Sequence, residues 1–184
     1  GNDVNPGIGY WVGGNTKVYG GALFRLREKD FDEVQLHEGI SPAWPLKYND
    51  FSSYYDEAEK LYQVHGKQGL DPTEPPRNDE YPYPAVSHEP RIAWLDKAFQ
   101  KQGLKPFYLP LSVKLNEKDQ FLSECIRCNT CDGFPCFIDA KSDADVNCIR
   151  PSMGAENVHL ITEAKVNKLH TSESGKEITG VEAE

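Results

Sequence analysis

The chain has 184 residues, a mean hydropathy of −0.63 and 20 basic against 29 acidic residues, which gives a net charge of −9. An acidic chain gains little from releasing counterions at phosphates, so nucleic acid and anionic membranes are poor candidates as partners. The length suits one domain or a large piece of a bigger protein, and the sequence has no run of 18 apolar residues that could span a bilayer.

The first zone, residues 5–21, is rich in glycine and aromatic residues (NPGIGYWVGGNTKVYGG). Because glycine is unfavourable in the interior of a helix, this composition predicts that no regular helix forms here. It also indicates backbone that turns sharply or that another group approaches closely. The glycines alone do not distinguish a turn-rich loop from a segment that contacts a ligand.

The second zone, residues 24–66, contains the clearest helix. Its apolar residues recur at helical spacing. They are Phe51, Tyr54, Tyr55, Ala58, Leu61 and Tyr62. Asn49 or Asp50 is expected to cap the helix and Gly66 to end it. The tyrosines of this stripe are expected to lie in the core rather than against a ligand.

The third zone, residues 71–90, carries six prolines, which predict extended chain. A second helix is predicted from Pro90 to about Gln102, since proline is favoured in the first helical turn, where its missing N–H would have no partner. Its apolar face would be formed by Ile92, Leu95, Ala98 and Phe99, with Gly103 ending the helix.

The last zone turns to β-structure. Residues 157–161 alternate between polar and apolar, which predicts a strand, and residues 164–169 and 177–182 predict a hairpin with turn residues at 172–175. The hairpin ends with the sequence, on a strand that would pair with a neighbour. This edge, and an opening at Gly1-Asn2-Asp3, indicate that the natural polypeptide is longer.

The five cysteines follow the spacing C-x2-C-x2-C-x4-C, with a distant fifth at Cys148. Thiolates at this spacing could bind one zinc ion or an iron–sulfur cluster. Disulfides or buried thiols satisfy the same spacing, and an odd cysteine remains in any four-ligand site or two-disulfide scheme. The candidate ligands of a metal site are Cys125, Cys128, Cys131 and Cys136.

The histidines show no catalytic grouping. No H-E-x-x-H, G-x-S-x-G or phosphate-binding G-x-x-x-x-G-K-[ST] motif is present, and no histidine pairs at helical spacing with another ligand. Each is expected at the surface or at a helix end rather than in catalysis: His37, His65, His88, His159 and His170.

Four segments lie in order along the chain, at residues 12–31, 43–60, 128–142 and 157–181. Together they resemble the GMC (glucose–methanol–choline) oxidoreductases, in particular bacterial-type members similar to choline and alcohol dehydrogenases. Residues 12–21 with 22–31 (ALFRLREKDF) are similar to the family's first signature, which lies along the flavin. The second segment is AWPLKYND at 43–50 with YYDEAEK at 54–60. The third begins in the cysteine loop, the name used below for residues 125–136, and contains its Pro135-Cys136 pair and the following Ala140-Lys-Ser142. The fourth is Asn157–Val166, continuing to Gly180-Val181. The four segments together cover nearly the whole chain.

The resemblance implies an FAD cofactor and the transfer of hydride from the CH–OH group of a choline-, sugar- or polyol-type alcohol to the flavin. It implies flavin contacts in the first zone and a backbone contact near the adenine. These residues are Gly13, Gly14, Asn15, Thr16, Val18, Tyr19 and Gly20, with Val166 at the adenine. Asn15 stands where the family usually has Ser or Thr, and Tyr19 where it usually has Asn or His. Glycines in this zone would let backbone N–H groups approach a flat ring and a pyrophosphate.

The resemblance also implies parts that this chain does not show. The family's FAD fold begins with a strand, a G-x-G-x-x-G turn and a helix. Here Gly7-x-Gly9 is followed by glycine only at Gly13, with no predicted strand before it. The family's general base, a histidine paired with histidine or asparagine, maps onto none of the five histidines. We therefore expect an internal fragment that neither holds FAD tightly nor turns over alone.

The expected fold class is α+β, a partial FAD-linked GMC fold without the N-terminal Rossmann-type unit. Residues 1–31 are assigned to the flavin-contacting segment, 32–150 to a helical and proline-rich part of the substrate domain with the cysteine loop, and 151–184 to a hairpin region of the FAD domain. Such a piece is expected to expose apolar surface, which favours self-association.

Two alternatives from other classes remain at this stage. One is a metal-binding module with a binding or electron-transfer role, and the other is a noncatalytic scaffold that kept the family's shape. Five cysteines without a secretory signal favour a reducing compartment such as the cytoplasm.

Overall fold

The computed structural model describes residues 7–184, so residues 5 and 6 of the glycine-rich zone lie outside it. The chain divides into two compact units, the first ending at Ile149 and the second spanning Arg150–Glu184. Both helices and strands are present, which confirms the mixed composition expected from the sequence. Within the described residues, no helix is both long enough and apolar enough to cross a membrane.

Among the described residues of the first unit, from position 7 onward, there are five short strands and two α-helices. In chain order they are β1 (Val34–Leu36), β2 (Gly39–Ser41), α1 (Tyr48–Leu61), β3 (Val64–Gly66), β4 (Tyr83–Pro84), α2 (Pro90–Lys101) and β5 (Leu111–Ser112). A 3₁₀ turn at Gly14–Lys17 is the regular structure assigned to the described part of the glycine-rich zone, which confirms that no longer helix forms there. The hairpin of β1 and β2 was not predicted from the sequence.

Helix α1 begins earlier and ends earlier than predicted. Lys47 is its N-cap residue, and Asp50, predicted as a cap, instead lies inside the first turn and accepts a hydrogen bond from the Lys47 N–H at 2.8 Å. The helix ends at Leu61, not Gly66, because residues 64–66 form the central strand β3. The helix therefore ends before the segment whose backbone pairs in the sheet, and Gly66, which was expected to end the helix, lies in that strand.

The prediction that the tyrosines of the α1 stripe lie in the core is wrong for Tyr54, which is 65% exposed, while Tyr55 and Tyr62 are half-buried. Leu61, on the same stripe, is 51% exposed. The fully buried residues of α1 are Tyr48, Asp56 and Glu59. The two carboxylates are buried because the guanidinium of Arg25, itself buried, binds both of them.

Helix α2 confirms its prediction, beginning at Pro90 and ending at Lys101. Gly103, the predicted stop, has φ +79°, a left-handed conformation that favours glycine after a helix end. Between Asp71 and Glu89 the chain forms the two-residue strand β4 and otherwise loops and turns, as the prolines predicted.

A three-stranded sheet in the order β4-β3-β5 occupies the centre of the first unit, with β3 parallel to β4 and antiparallel to β5. Its strand β5 is also bonded on the other side: the Ser112 N–H donates to the Gly21 carbonyl at 2.8 Å, and the Ser112 carbonyl accepts from the Ser142 N–H at 3.2 Å. Ser112 and Ser142 are completely buried. This crossing brings the end of the glycine-rich zone next to the segment that follows the cysteine loop.

The second unit contains the short helix α3 (Arg150–Ser152) and an antiparallel hairpin of β6 (Val166–Thr171) and β7 (Ile178–Ala183). The predicted hairpin is confirmed, with its strands shifted by one or two residues, and the Gly175 N–H closes the turn on the Ser172 carbonyl at 2.9 Å. The strand predicted at residues 157–161 is wrong, since this stretch is a loop. Alternation of polar and apolar residues fits the two faces of a strand, but a strand also needs a partner for its backbone hydrogen bonds.

Candidate functional site

Two segments far apart in the sequence meet beside β5 in the first unit. One is the segment 13–20, and the other runs from Cys131 to Ile149 and ends in a π-helical turn at Asp145–Ile149. Side-chain and backbone hydrogen bonds join them at several points. We call this pair of segments the glycine–lysine site, after Gly13, Gly14, Lys17 and Lys141.

Gly13 and Gly14 have different structural reasons to be glycine. Gly13 has φ +88°, and a Cβ built on it would lie 2.9 Å from the Asp145 Cβ, so the chain itself fills that space. Gly14 has φ +54°, and the nearest atom to its Cβ position, the Gly9 carbonyl oxygen, is 3.9 Å away. A side chain at Gly13 would therefore collide with Asp145 of the protein itself, whereas the space around the Cβ position of Gly14 is open.

Asn15 and Thr16 use their side chains to hold the loop. The Asn15 Oδ1 accepts from the Gly9 N–H at 2.6 Å, and its Nδ2 donates to the Gly7 carbonyl at 3.0 Å. The Thr16 hydroxyl donates to the Gly13 carbonyl at 2.5 Å and accepts from the Ala144 N–H at 3.1 Å. Asn15 thus folds the preceding glycines onto the 3₁₀ turn, and Thr16 joins that turn to the second segment.

The following residues, Val18 to Gly20, face the cysteine loop. The Val18 carbonyl accepts from the Gly133 N–H at 2.8 Å. The Tyr19 hydroxyl donates to the Ser142 carbonyl, and burial raises the pKa of this phenol. A Cβ on Gly20 would meet Asp132 at an ordinary contact distance of 3.5 Å. This part of the segment is therefore packed against protein.

Lys17 sits between two aspartates of the second segment. Its Nζ lies 2.6 Å from the Asp145 Oδ2 and 3.3 Å from the Asp143 Oδ2, and both carboxylates are buried. Burial by itself would lower the pKa of Lys17, but the hydrogen bonds to Asp145 and Asp143 outweigh it, so the pKa is raised. Asp143 also accepts from the Val146 N–H at 2.9 Å, which fixes the start of the π-helical turn.

Lys141 is the second cation of the site and is only 1% exposed. Its Nζ donates to three backbone carbonyls: Tyr19 at 2.7 Å, Cys131 at 2.7 Å and Phe134 at 2.8 Å. Lys17, Lys141, Asp143 and Asp145 were not identified as functional from the sequence, apart from the match of residues 140–142. Charged residues in a hydrophilic stretch give no signal that they are buried.

The charges and the open space bear on which group this site could hold. The ammonium of Lys17 is paired with the carboxylates of Asp143 and Asp145, and that of Lys141 is bonded to three backbone carbonyls. A site whose cations are already bonded within the protein suits an uncharged ring better than a pyrophosphate, which is bound by excess positive charge and unpaired N–H groups. The open position at Gly14 admits a flat ring, so the residues fit a flavin at this point of the segment.

Val166, the proposed adenine contact, lies in the second unit at the start of β6. It pairs with Ala183 of β7, and its side chain is exposed.

The cysteine loop carries thiols at Cys125, Cys128, Cys131 and Cys136. Across residues 7–184, no three His, Cys, Asp or Glu side chains are grouped so that they could hold a metal ion. Burial raises the pKa of Cys125 and Cys131, whereas a contact of 3.4 Å with the Thr130 hydroxyl lowers the pKa of the exposed Cys128 thiol. The predicted metal ligands are therefore not brought together as a metal site.

One histidine departs from its expected place. His65 lies in β3 and is 3% exposed, so the prediction of a surface or helix-end position is wrong for this residue. Its Nδ1 bonds to the Pro84 carbonyl at 2.8 Å, and its ring packs on Tyr83 with 5.1 Å between centroids. The hydrogen bond and the ring contact, both made within the sheet, explain why His65 is buried.

The sequence matches the profile of a family described as GMC oxidoreductase over residues 6–184. It is 29% identical to 6'''-hydroxyparomomycin C oxidase of Streptomyces lividus over 90% of this chain, and 30% identical to paromamine 6'-oxidase of Streptomyces fradiae over 86%. It is also 38% identical to 2-methyl-1,2-propanediol dehydrogenase of Mycolicibacterium austroafricanum over 36% of this chain and 12% of that protein. The chain spans 30% and 28% of the length of the two Streptomyces relatives. Because the family profile covers nearly all of it, this chain belongs to the GMC oxidoreductase family.

Proposed function

We propose that this chain forms part of an FAD-dependent oxidoreductase that oxidises the CH–OH group of a small alcohol. The observation that carries the proposal is the family match over residues 6–184. FAD binding is a general feature of that family. The relatives are named as oxidases and a dehydrogenase, which supports an alcohol as the substrate class, of choline, sugar or polyol type.

Within this enzyme, the segment 13–20 is proposed to lie along the flavin, and the Val166 backbone to lie near the adenine. The open position at Gly14 supports a ring contact there. The contacts made by Asn15, Thr16 and Tyr19 support a positioning role, because their side chains bond to the protein's own backbone. The proposed division into residues 1–31, 32–150 and 151–184 follows from the same family resemblance.

The bound FAD would supply the electron-accepting centre that takes a hydride from the alcohol carbon. This chain's own contribution is to present to that centre a rigid wall that is held by its own ion pairs and hydrogen bonds. Lys17 holds the 3₁₀ turn onto Asp143 and Asp145, and Thr16 holds it onto Ala144. We assign no general-base role to the histidines of this chain, and we expect the 184 residues alone to bind FAD weakly and not to turn over.

The decisive experiment uses the protein produced from its complete reading frame. The purified protein is denatured, and the released cofactor is identified by chromatography; about one FAD per chain is expected. Anaerobic addition of a polyol or amino-sugar alcohol should then bleach the flavin absorbance. A preparation without flavin, made with FAD present during purification, would contradict the proposal. Reoxidation by oxygen, compared with an artificial acceptor dye, would assign oxidase or dehydrogenase chemistry.

A matched pair of glycine variants tests the position of the flavin. Gly14→Ala adds a methyl group at the open position, and Gly69→Ala adds one at another glycine with positive φ and open surroundings. Both carry backbone strain, but only the first should obstruct a ring beside residues 13–20. An obstruction of about 1–3 kcal/mol weakens FAD binding by roughly five- to 150-fold. Equal FAD affinities in the two variants would remove Gly14 from the flavin contact.

A further inference from the structure

Lys141 makes an unusual set of contacts for a lysine. Its side chain is buried, and its Nζ donates to three carbonyl oxygens within 2.8 Å. A lysine ammonium has three N–H donors, so these contacts use its full capacity. Its Nζ also lies 5.5 Å from the centroid of the Tyr19 ring.

The energetic cost of this burial points to a positioning role. An ammonium removed from water is strongly destabilising unless it is fully hydrogen-bonded, and burial lowers the pKa of Lys141. Three carbonyl dipoles replace its water shell. The same three bonds hold those carbonyls in one arrangement, so the position of the ammonium and the positions of the backbone segments depend on each other.

The three carbonyls belong to two different segments. Tyr19 lies in the segment 13–20, 122 residues before Lys141, whereas Cys131 and Phe134 lie in the cysteine loop. Lys141 itself is fixed by the sheet, since it forms a bridge with Val113 next to β5. The ammonium therefore joins both segments to a rigid strand.

A backbone contact runs parallel to these bonds. The Gly133 N–H donates to the Val18 carbonyl at 2.8 Å, which joins the same two segments one residue before Tyr19. If Lys141 were replaced by an apolar residue, the carbonyls of Tyr19, Cys131 and Phe134 would lose their donor. The Gly133–Val18 bond would then hold the segments with less support.

We infer that Lys141 is a positioning residue for the cofactor: by binding the carbonyls of Tyr19, Cys131 and Phe134 it holds the end of segment 13–20 against the protein, and thereby fixes where the start of that segment, at Gly14, meets the flavin. The inference rests on the proposed function for the flavin contact. It assigns to the cysteine loop the role of a support behind the flavin-contacting segment. It assigns no chemistry to the lysine itself.

The test compares Lys141→Met with Lys118→Met in the protein from its complete reading frame. Lys118 is an exposed lysine near the same loop, and its replacement removes a charge without opening the site. Three properties are measured: hydrogen exchange of peptides covering 13–20 and 131–134, the rate of FAD dissociation, and the visible spectrum of the bound flavin. The thermal unfolding midpoint shows whether the fold is retained.

For Lys141→Met we expect at least tenfold faster exchange in both peptides, at least tenfold faster FAD dissociation and a shifted flavin spectrum, with Lys118→Met like the wild type. Unchanged exchange in Lys141→Met overturns the inference whether or not the protein holds flavin. Faster exchange with an unchanged flavin spectrum and FAD dissociation rate also overturns it. A wild-type protein without flavin instead contradicts the proposed function, so the two failures are distinguishable.

If Lys141→Met does not accumulate as folded protein, the wild type provides the second measurement. Removal of FAD should accelerate exchange in the peptide 131–134, because the support and the segment it holds would loosen together. No change in that peptide on removal of FAD would overturn the inference.

Discussion

The Glu59 carboxylate on α1 forms a two-point hydrogen-bonded pair with the guanidinium of Arg25, at 2.8 Å from Nε and 2.7 Å from Nη2. The same carboxylate binds a second guanidinium, that of Arg77, through both of its oxygens. Glu59 and Arg25 are buried. One carboxylate therefore connects three parts of the chain: the segment after the glycine-rich zone, α1 and the proline-rich stretch.

Replacing Glu59 with glutamine should strongly destabilise the protein. The amide keeps the shape but removes the carboxylate that two buried guanidinium groups share, leaving Arg25 with Asp56 and Arg77 with Glu74 at 3.5 Å. With those partners retained, the loss is expected to cost about 3 kcal/mol, the low end of the range for breaking a buried pair. The free energy of unfolding, measured by urea titration, should fall by that amount. Glu57→Gln is the control, since Glu57 lies exposed on the same helix and should change stability by no more than about 0.5 kcal/mol. A similar small effect at Glu59 would show that the network contributes little.

Asp56 should make stability depend on pH in the acid range. Burial by itself would raise the pKa of this carboxyl, but hydrogen bonds from Arg25 and Asn78 outweigh it, so the pKa is lowered in the folded protein. At pH values between the pKa of Asp56 in the folded protein and its pKa in the unfolded chain, the unfolded chain binds more protons. The stabilisation that Asp56 contributes is therefore complete above its unfolded pKa and is lost as the pH falls through its folded pKa.

The measurement is the free energy of unfolding as a function of pH, for the wild type and for Asp56→Asn. The variant should have a shallower slope below about pH 4, because one carboxyl no longer takes up a proton on unfolding. The difference in slope should persist at high salt, since Asp56 is 8% exposed and a buried pair is poorly screened. Parallel slopes in the two proteins would exclude Asp56 as the source.

Gly13→Ala should be more destabilising than Gly69→Ala, although both glycines have positive φ. At Gly13 the new methyl group would lie 2.9 Å from the Asp145 Cβ, whereas at Gly69 nothing lies within 4 Å. Backbone strain costs about 1–2 kcal/mol at either position, and overpacking adds about 1–3 kcal/mol at Gly13. Thermal or urea unfolding of the two variants measures this difference. Equal losses of stability would mean that Asp145 moves away without cost.

The cysteines should react in a definite order. Cys128 is exposed, and its pKa is lowered by the Thr130 hydroxyl, so more of it is thiolate at neutral pH than of the half-buried Cys125 and Cys131, whose pKa values are raised by burial. Alkylation with iodoacetamide, followed by peptide mass spectrometry, should therefore label Cys128 first. Cys128→Ser should remove the fastest phase and leave the slower ones. Early labelling of Cys131 would contradict this order.

Local patterns were enough to predict several elements. Helix α2 was predicted from Pro90 at its start and Gly103 at its end, and both features act within a single turn of backbone. The β6–β7 hairpin was predicted from alternation around a turn that closes between Ser172 and Gly175. The strand predicted at residues 157–161 is wrong, because alternation describes a strand's faces but does not provide its partner.

The buried face of α1 was not predictable from its periodicity. The apolar stripe indicated Tyr54 as a core residue, yet the helix buries Asp56 and Glu59 instead. Their burial depends on the guanidinium groups of Arg25 and Arg77, which lie 34 and 18 residues from Glu59. A charged residue can be buried at low cost only when its partner is in place, and the partner is set by the tertiary fold.

The sequence by itself determined the family of this protein, its glycine-rich segment at 13–20 and the helices and turns whose causes lie within a few neighbouring residues. Only the tertiary structure decided what supports that segment, because β5 bonds to both segments through one residue: the Ser112 N–H donates to the Gly21 carbonyl, and the Ser112 carbonyl accepts from the Ser142 N–H. That crossing puts Lys141 beneath Tyr19 and puts Asp143 and Asp145 around Lys17. Hydrogen bonds and ion pairs between residues more than 120 positions apart have no local pattern, since their geometry exists only after the strands have paired.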